Sequence, residues 1–264
     1  MAHSTARVVL NEARGFIAES WWSRMIRYTG VMRSTRGVPA RLKRAFAQRV
    51  SFQDRTEIQL AVAGHYSGGD YFEFGSAGFN SFRSFLSAFD MNGLASAFPD
   101  TRFFAFDAFG DLESGSGVPA DQAGYFEVYR GAEIYDIGVL QRHGLFLDRI
   151  ELVKGYFKDT LDEAFKERLR REGRRVGFAF VDVNIAPSYK TVLEFLPEFM
   201  LGRRSFIYMD EYFLEPDVPV LFEKFCDKMR ELHNARHYYV RNAGNFGALF
   251  CFMEDTKVAW RQYK

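Results

Sequence analysis

The sequence is poor in cysteine, with only Cys226 and Cys251, which lie far apart and between apolar neighbours. Such a pair indicates neither a disulfide framework nor a cysteine-based metal site. We expect both residues to be small, buried hydrophobic side chains. A long uninterrupted apolar run is also missing, so the sequence contains no candidate transmembrane helix and no signal-peptide core. These absences predict a cytoplasmic protein without a membrane span.

The sequence has no excess of charge of one sign, because 35 Lys and Arg residues face 34 Asp and Glu residues. A net charge of +1 gives no reason to expect a nucleic-acid partner. Residues 1–50 are the exception, with ten Arg or Lys residues against Glu12 and Glu19 only. This segment is either a solvated helical face or a surface for an anionic partner or a membrane.

Hydrophobic residues are abundant, at 47% of 264 residues, and 29 of them are Phe. That length suits one large α/β domain or two small ones, with an aromatic core. Residues 5–50 have apolar side chains at helical spacing, and residues 56–65 predict one more helix. We therefore expect a helical region over residues 1–66, acting as a cap or pairing subunits into a homo-oligomer. Residues 67–264 would form the main domain.

From residue 70 onward, short apolar runs alternate with amphipathic stretches, which is typical of a doubly wound, mostly parallel sheet. The predicted strands are 70–74, 102–106, 150–154, 176–183 and 205–209, and the predicted helices are 80–89, 159–171, 188–200 and 218–233. Two final runs, 236–240 and 248–253, flank a turn-like segment and predict a hairpin. One terminal strand is therefore antiparallel, and the sheet has seven strands.

The most informative stretch is residues 69–90, which predicts a strand, a turn with Gly75 and Gly78, and a helix. Such a turn presents free N–H groups at a helix start and lets a ligand approach the backbone. Two glycines at a strand–helix turn also occur for packing alone. Glu73, at the end of the strand, suits hydroxyl groups or a cation.

Polar or glycine residues lie at the C-terminal end of every predicted parallel strand: Glu73 and Gly75, Asp107, Gly155, Asp182 and Asn184, and Asp210 and Glu211. Ligands of such sheets bind at the carboxyl ends of the strands. Buried carboxylates are costly unless they are paired or bind a metal, so their convergence favours a site over simple helix capping. Asp107 suits the hydroxyls of a ribose. The first turn has E-x-G-x-x-G in place of G-x-G-x-x-G, which favours a nucleoside without a pyrophosphate.

Four stretches carry a resemblance to a known family: GDYFEFG at 69–75, FFAFDAFGDL at 103–112, VKGYFKDTL at 153–161, and DVNIAPSYKTVLEFLPEFMLG with SFIYMDEY between 182 and 212. They resemble the class I S-adenosylmethionine-dependent methyltransferases, and most of all the macrocin- and mycinamicin-type sugar O-methyltransferases. The resemblance implies a Rossmann-like methyltransferase fold. It also implies methyl transfer from S-adenosyl-L-methionine to a hydroxyl of a small-molecule substrate, namely a sugar or a glycosylated natural product.

The resemblance also implies roles for individual residues. The cofactor-binding residues would be Glu73, Phe74, Gly75, Ser76, Ser81, Asp107, Ala108, Gly155, Tyr156, Phe157 and Asp182. Those after the first strand would hold the methionine part, Asp107 the ribose, and residues 155–157 the adenine. A divalent ion, usually magnesium, would be bound by Asp182, Asp210 and Glu211, and Asp182 and Asp210 would be the catalytic residues.

Three features depart from the family pattern. Phe79 and Asn80 occupy the positions of two further glycines, although Asn tolerates left-handed backbone better than most residues. Asn184 replaces the second acid of the D-x-D motif, and Glu211 replaces the second Asp of a pair. Oxygen donors remain at both metal-binding positions, so a magnesium site is still expected.

The sequence leaves the general base and the acceptor open. His65, His143, His233 and His237 are candidate bases by residue type only. In the long loop over residues 108–131, the aromatic residues Tyr125, Phe126 and Tyr129 either stack on a ring-shaped acceptor or anchor the loop. Alternative functions are a metal-independent methyltransferase on another small molecule, a non-catalytic binding protein, and, more distantly, a nicotinamide oxidoreductase.

Overall fold

The computed structural model describes residues 56–109, 138–201, 203–243 and 246–255 of the chain. The chain forms two compact units, Met1–Glu57 and Ile58–Lys264. The helices expected over residues 5–50 lie outside the described residues, as do Tyr125, Phe126 and Tyr129 of the long loop. The predicted cap or oligomerisation role of the N-terminal region therefore stays a prediction.

The second unit is built on a seven-stranded sheet. Its strands are β1 (Asp70–Phe74), β2 (Phe103–Asp107), β3 (Ile150–Lys154), β4 (Val176–Val181), β5 (Arg204–Met209), β6 (Ala235–Ala243) and β7 (Gly247–Glu254). Their order in the sheet is β3-β2-β1-β4-β5-β7-β6. Strands β1 to β5 are parallel, and β7 is antiparallel to both of its neighbours. This confirms the predicted mostly parallel, seven-stranded α/β fold.

Helices cover both faces of the sheet. They are α1 (residues 56–63), α2 (Asn80–Met91), α3 (Leu94–Ala97), α4 (Gly138–His143), α5 (Phe157–Thr160), α6 (Glu163–Arg171), α7 (Ala186–Phe195) and α8 (Asp217–His233). Two short 3₁₀ helices, Leu147–Arg149 and Leu196–Glu198, precede β3 and follow α7.

Side-chain alternation on β1 divides the core into two layers. Phe72 and Phe74 belong to the layer that also contains α6, α7 and α8. Tyr71 belongs to the layer of α1, α2 and α4, where the apolar stripe of α2 is buried as its helical spacing predicts. The Tyr71 ring stacks on Phe85 of that stripe, with ring centroids 4.2 Å apart. A pair of this kind contributes about 0.5–1.5 kcal/mol beyond area burial.

Two helices differ from the prediction, one in where it ends and one in being divided, and each difference has a local cause. The helix expected over 188–200 is α-helical only to Phe195, because Pro197 lacks the N–H that the ladder needs and a 3₁₀ turn takes over. The stretch expected to be one helix over 159–171 is split into α5 and α6. The Asp162 side chain caps α6 by accepting the N–H of Phe165 at 2.8 Å.

Strand β4 ends at Val181, two residues before the predicted boundary at 183. The chain turns just beyond it at Asn184, whose φ of +63° is left-handed. This turn places Asp182 at the end of the strand rather than within it.

The remaining expectations concern the hairpin, the cysteines and membrane spans. Strands β6 and β7 form the predicted hairpin. Cys226 and Cys251 are buried free thiols, as expected, and burial raises the pKa of each. Within the described ranges, no helix has both the length and the apolar character that crossing a bilayer requires.

Candidate active site

The carboxyl ends of the five parallel strands meet at one edge of the sheet. The residue that follows a strand donates its N–H to a neighbouring strand in four places: Gly75 to Phe106 (2.9 Å), Gly155 to Asp107 (3.0 Å), Asp182 to Phe74 (2.9 Å) and Asp210 to Val181 (3.0 Å). These bonds fix the main chain of what we call the strand-end rim, residues 73–79, 107–109, 155–157, 182–184 and 210–211. The strand order reverses between β1 and β4, so this edge is where a ligand crevice is expected.

The rim has two halves, one at the ends of β1, β2 and β3 and the other at the ends of β4 and β5, and Gly75 joins them. Its φ is +85°, and a Cβ atom built on it would lie 1.8 Å from the carbonyl oxygen of Asp182. Only glycine permits both this backbone conformation and this approach. The ends of β1 and β4 therefore touch through bare backbone.

The turn after Gly75 differs from the expectation for Asn80. The left-handed residues are Ala77 (φ +38°) and Phe79 (φ +59°), whereas Asn80 is the first residue of α2. A bulky side chain rarely adopts this conformation. Here the Phe79 ring is fully buried and stacks on Phe109 at 5.4 Å, and this packing offsets the strain.

Glu73 lies beneath the turn with its carboxylate in the core. It is fully buried and accepts hydrogen bonds from the Tyr71 hydroxyl and from Ser81 Oγ, the latter at 3.0 Å. Gln59 Nε2 donates to the Tyr71 oxygen at 3.0 Å. Burial and the neighbouring Glu73 charge raise the pKa of Tyr71, so the phenol remains a neutral donor. Glu73 and Ser81 thus form one buried cluster, and their contact with a cofactor stays a prediction.

Asp107 links β2 to the glycine turn. Its Oδ2 accepts the N–H of Ala77 at 2.9 Å, and its Oδ1 accepts the N–H of Phe109 at 3.1 Å. Burial raises the pKa of Asp107, and the backbone donors act in the opposite direction. A carboxylate has about four lone-pair positions and Ala108 is a third backbone donor, so Asp107 retains capacity for about one further donor.

The turn after β3 supplies the third part of the rim. Gly155 has a φ of +141°, and a Cβ there would lie 2.7 Å from Thr160 Cγ2. Phe157 lies edge-on to Phe74, with centroids 5.9 Å apart. The predicted adenine-binding segment therefore packs directly against the end of β1.

The three predicted metal ligands converge. Asp182, Asp210 and Glu211 each offer one carboxylate oxygen, and these oxygens lie within 4.8 Å of one another. Asp182 and Asp210 are half-buried, and Glu211 is buried. Carboxylate oxygens are the ligands that magnesium prefers, so this donor set fits the ion that the family resemblance implies.

Two tyrosines that the sequence reasoning missed hold these acids. The Tyr208 hydroxyl donates to Asp210 Oδ1, and the Tyr189 hydroxyl donates to Glu211 Oε2 at 2.5 Å. Tyr208 stands two residues before Asp210, as Tyr71 stands two residues before Glu73. A tyrosine at that spacing shares a strand face with the acid, which is a signal the sequence does contain. No comparable spacing indicates Tyr189.

None of the four histidines considered as bases belongs to the strand-end rim. His143 on α4 has its Nε2 3.3 Å from Ser87 Oγ, and burial together with Arg83 lowers its pKa to about 4. His233 ends α8 and contacts the carbonyl of Pro197. His237 packs against Phe222 and Phe252 near the amino end of β6, and His65 precedes β1 on the exposed surface.

Comparison with known proteins identifies the fold. No family model matches the sequence, and no curated protein does. Among solved structures, the O-methyltransferase NovP is similar, with a TM-score of 0.54 and 16% identity over 75% of this chain and 79% of that chain. The chain has a Rossmann-like methyltransferase fold.

Two further methyltransferases are similar at lower scores. The calicheamicin methyltransferase CalS11 gives a TM-score of 0.47 and 17% identity over 84% of this chain and 89% of that chain. An O-methyltransferase from Bacillus cereus in complex with SAH gives 0.49 and 15% identity over 89% and 99%. In this fold, the strand-end rim is the edge of the sheet where a ligand site is expected.

Proposed function

We propose that the protein is an S-adenosyl-L-methionine-dependent O-methyltransferase of the macrocin- and mycinamicin-type family. It methylates a hydroxyl of a sugar or of a glycosylated natural product, with a magnesium ion assisting. One observation carries the proposal. A glycine turn, a half-buried Asp107 and a three-carboxylate cluster share one rim of a methyltransferase fold.

The residues at the ends of β1, β2 and β3 suit a nucleoside. Asp107 is positioned by backbone donors and retains lone-pair capacity for a hydroxyl of a ribose. Gly75 and Gly155 keep the adjoining backbone bare. Tyr156 and Phe157 are half-buried beside them and offer apolar surface for a base.

The acid cluster would hold the metal ion. Asp182, Asp210 and Glu211 are the ligands we assign, from their proximity and their hard oxygen donors. When bound, a magnesium ion lowers the pKa of a coordinated hydroxyl and fixes its position.

The residues themselves mainly orient the reactants. Methyl transfer from a sulfonium to an oxygen is an in-line displacement, and orientation supplies several kcal/mol of such a barrier. The hydroxyl proton must also leave, and among the described residues we assign its acceptance to the Asp182 or Asp210 carboxylate. Asp182 adjoins both halves of the rim, since its main chain touches Gly75. It is therefore placed to affect both the cofactor and the acceptor.

The proposal is tested by a thermal shift with S-adenosylhomocysteine, followed by methyl transfer from labelled S-adenosylmethionine to a panel of nucleotide sugars and glycosylated natural products. We expect stabilisation by the nucleoside and transfer that excess EDTA stops and magnesium restores. Absence of a thermal shift would favour a non-catalytic binding protein. Transfer that persists in EDTA would leave a metal-independent enzyme of the same fold.

Replacing Asp107 by Ala is expected to weaken S-adenosylhomocysteine binding by about 1.5–3 kcal/mol, the range for hydrogen bonds to charged groups. This corresponds to a roughly 10- to 150-fold rise in Kd, measured by calorimetry. Asp100→Ala is the matched control, because Asp100 is exposed and lies before the other end of β2. An unchanged affinity for Asp107→Ala would remove Asp107 from the site.

A further inference from the structure

Tyr189 contacts the acid cluster without belonging to it. It is fully buried on α7, four residues into the helix that follows β4, whereas Glu211 follows β5. The tyrosine therefore bridges the two strand ends that carry the cluster.

The phenol oxygen of Tyr189 makes two hydrogen bonds to the same residue. It donates to Glu211 Oε2 at 2.5 Å and accepts the Glu211 main-chain N–H at 3.2 Å. The carbonyl oxygen of Val181 lies 3.2 Å away, but it already accepts the N–H of Asp210 at 3.0 Å. Because the phenol has one proton, the shorter bond to a carboxylate takes it.

From this geometry we infer that Tyr189 is a positioning residue that holds the Glu211 carboxylate in the orientation a bound divalent cation requires. The inference rests on the proposed metal role of Asp182, Asp210 and Glu211.

The physical reason is restriction of rotation. A glutamate side chain has three rotatable bonds, and its carboxylate samples several orientations unless a partner fixes it. Tyr189 fixes both the main chain and one carboxylate oxygen of Glu211, so the residue enters metal binding already ordered. Outer partners of this kind typically contribute about 10- to 100-fold in metal affinity.

The test uses Mn²⁺ as the probe, with free Mn²⁺ followed by electron paramagnetic resonance, and S-adenosylhomocysteine affinity measured by calorimetry. Tyr189→Phe keeps the buried ring and removes only the hydroxyl. We expect Mn²⁺ to bind about 10- to 100-fold more weakly while nucleoside affinity is unchanged. Tyr66→Phe is the matched control, since it removes a buried hydroxyl that donates to the carbonyl of Gly69 at the far end of β1. It should leave both affinities unchanged.

A double variant separates positioning from packing. Adding Tyr189→Phe to Glu211→Gln should cost no more Mn²⁺ affinity than Glu211→Gln alone, because Tyr189 acts through the carboxylate.

Wild-type Mn²⁺ affinity in Tyr189→Phe, or losses that multiply in the double variant, would each overturn the inference. A wild-type protein that binds the nucleoside but not Mn²⁺ would overturn the metal part of the proposed function, and the inference with it. Failure of the inference about Tyr189 alone and failure of the proposed metal role therefore give different results.

Discussion

Replacing Asp210 by Ala is expected to abolish methyl transfer while S-adenosylhomocysteine binds almost as tightly as to the wild type. Asp210 belongs to the carboxylate cluster and follows β5, whereas the residues that suit the nucleoside lie at the carboxyl ends of β1, β2 and β3. A bound cation supplies several kcal/mol of transition-state stabilisation, so we expect turnover to fall by roughly 100-fold or more. The measurements are methyl transfer to the acceptor found for the wild type, and nucleoside affinity by calorimetry.

Asp217→Ala is the control for this variant. Asp217 is an exposed carboxylate in the first turn of α8, seven residues beyond Asp210 and outside the cluster, so turnover should be retained. Full activity of Asp210→Ala in excess EDTA would reject the metal role altogether. Loss of nucleoside binding in Asp210→Ala would mean that the two halves of the rim are not separable.

The fold was predictable because its signals are local and strong. Five aromatic or aliphatic runs ended in polar residues, and the apolar stripe of α2 recurs at helical spacing. The convergence of Asp182 and Asp210 followed from topology alone, since parallel strands expose their carboxyl ends at one edge. Strand topology alone was therefore enough to predict that those acids lie close together.

The tyrosines that hydrogen-bond these acids were harder to predict from the sequence. Tyr208 and Tyr71 share a strand face with the acid two residues on, so period-two alternation could have indicated both pairs. Tyr189 reaches Glu211 from a helix 22 residues earlier. That contact depends on how α7 packs on β5, which no residue spacing encodes.

Tertiary packing also decides which residue of the glycine turn is left-handed. Propensity favours Asn80 over Phe79 for a left-handed conformation. The structure places Phe79 there because the stack on Phe109 buries both rings, and tertiary packing outweighs local preference. Phe109 is itself left-handed and lies two residues beyond the end of β2, so this pairing joins two segments about 30 residues apart and is invisible to a local rule.

Replacing Gly75 by Ala is expected to destabilise the protein strongly, because the new side chain would strain the main chain where the ends of β1 and β4 meet. The new Cβ would sit 1.8 Å from the Asp182 carbonyl oxygen, and the φ of +85° is unfavourable for any L side chain. Strain of this kind costs about 1–3 kcal/mol, and overpacking against fixed atoms adds about 1–3 kcal/mol. The obstacle is main chain, so no rotamer change relieves it. Urea unfolding measures the cost, and S-adenosylhomocysteine affinity reports whether the rim survives.

Gly93→Ala separates the two contributions. Gly93 has a φ of +67°, but a Cβ there meets nothing within 4 Å, so its substitution carries the left-handed penalty of about 1–2 kcal/mol alone. The excess cost of Gly75→Ala over Gly93→Ala then measures the contact between the ends of β1 and β4. Equal unfolding free energies for the two variants would mean that the strand ends separate freely, and Asp182 could then not hold a fixed place between the cofactor and acceptor sides. A clear excess, together with lost nucleoside binding, would make that backbone contact the feature on which the geometry of the whole rim depends.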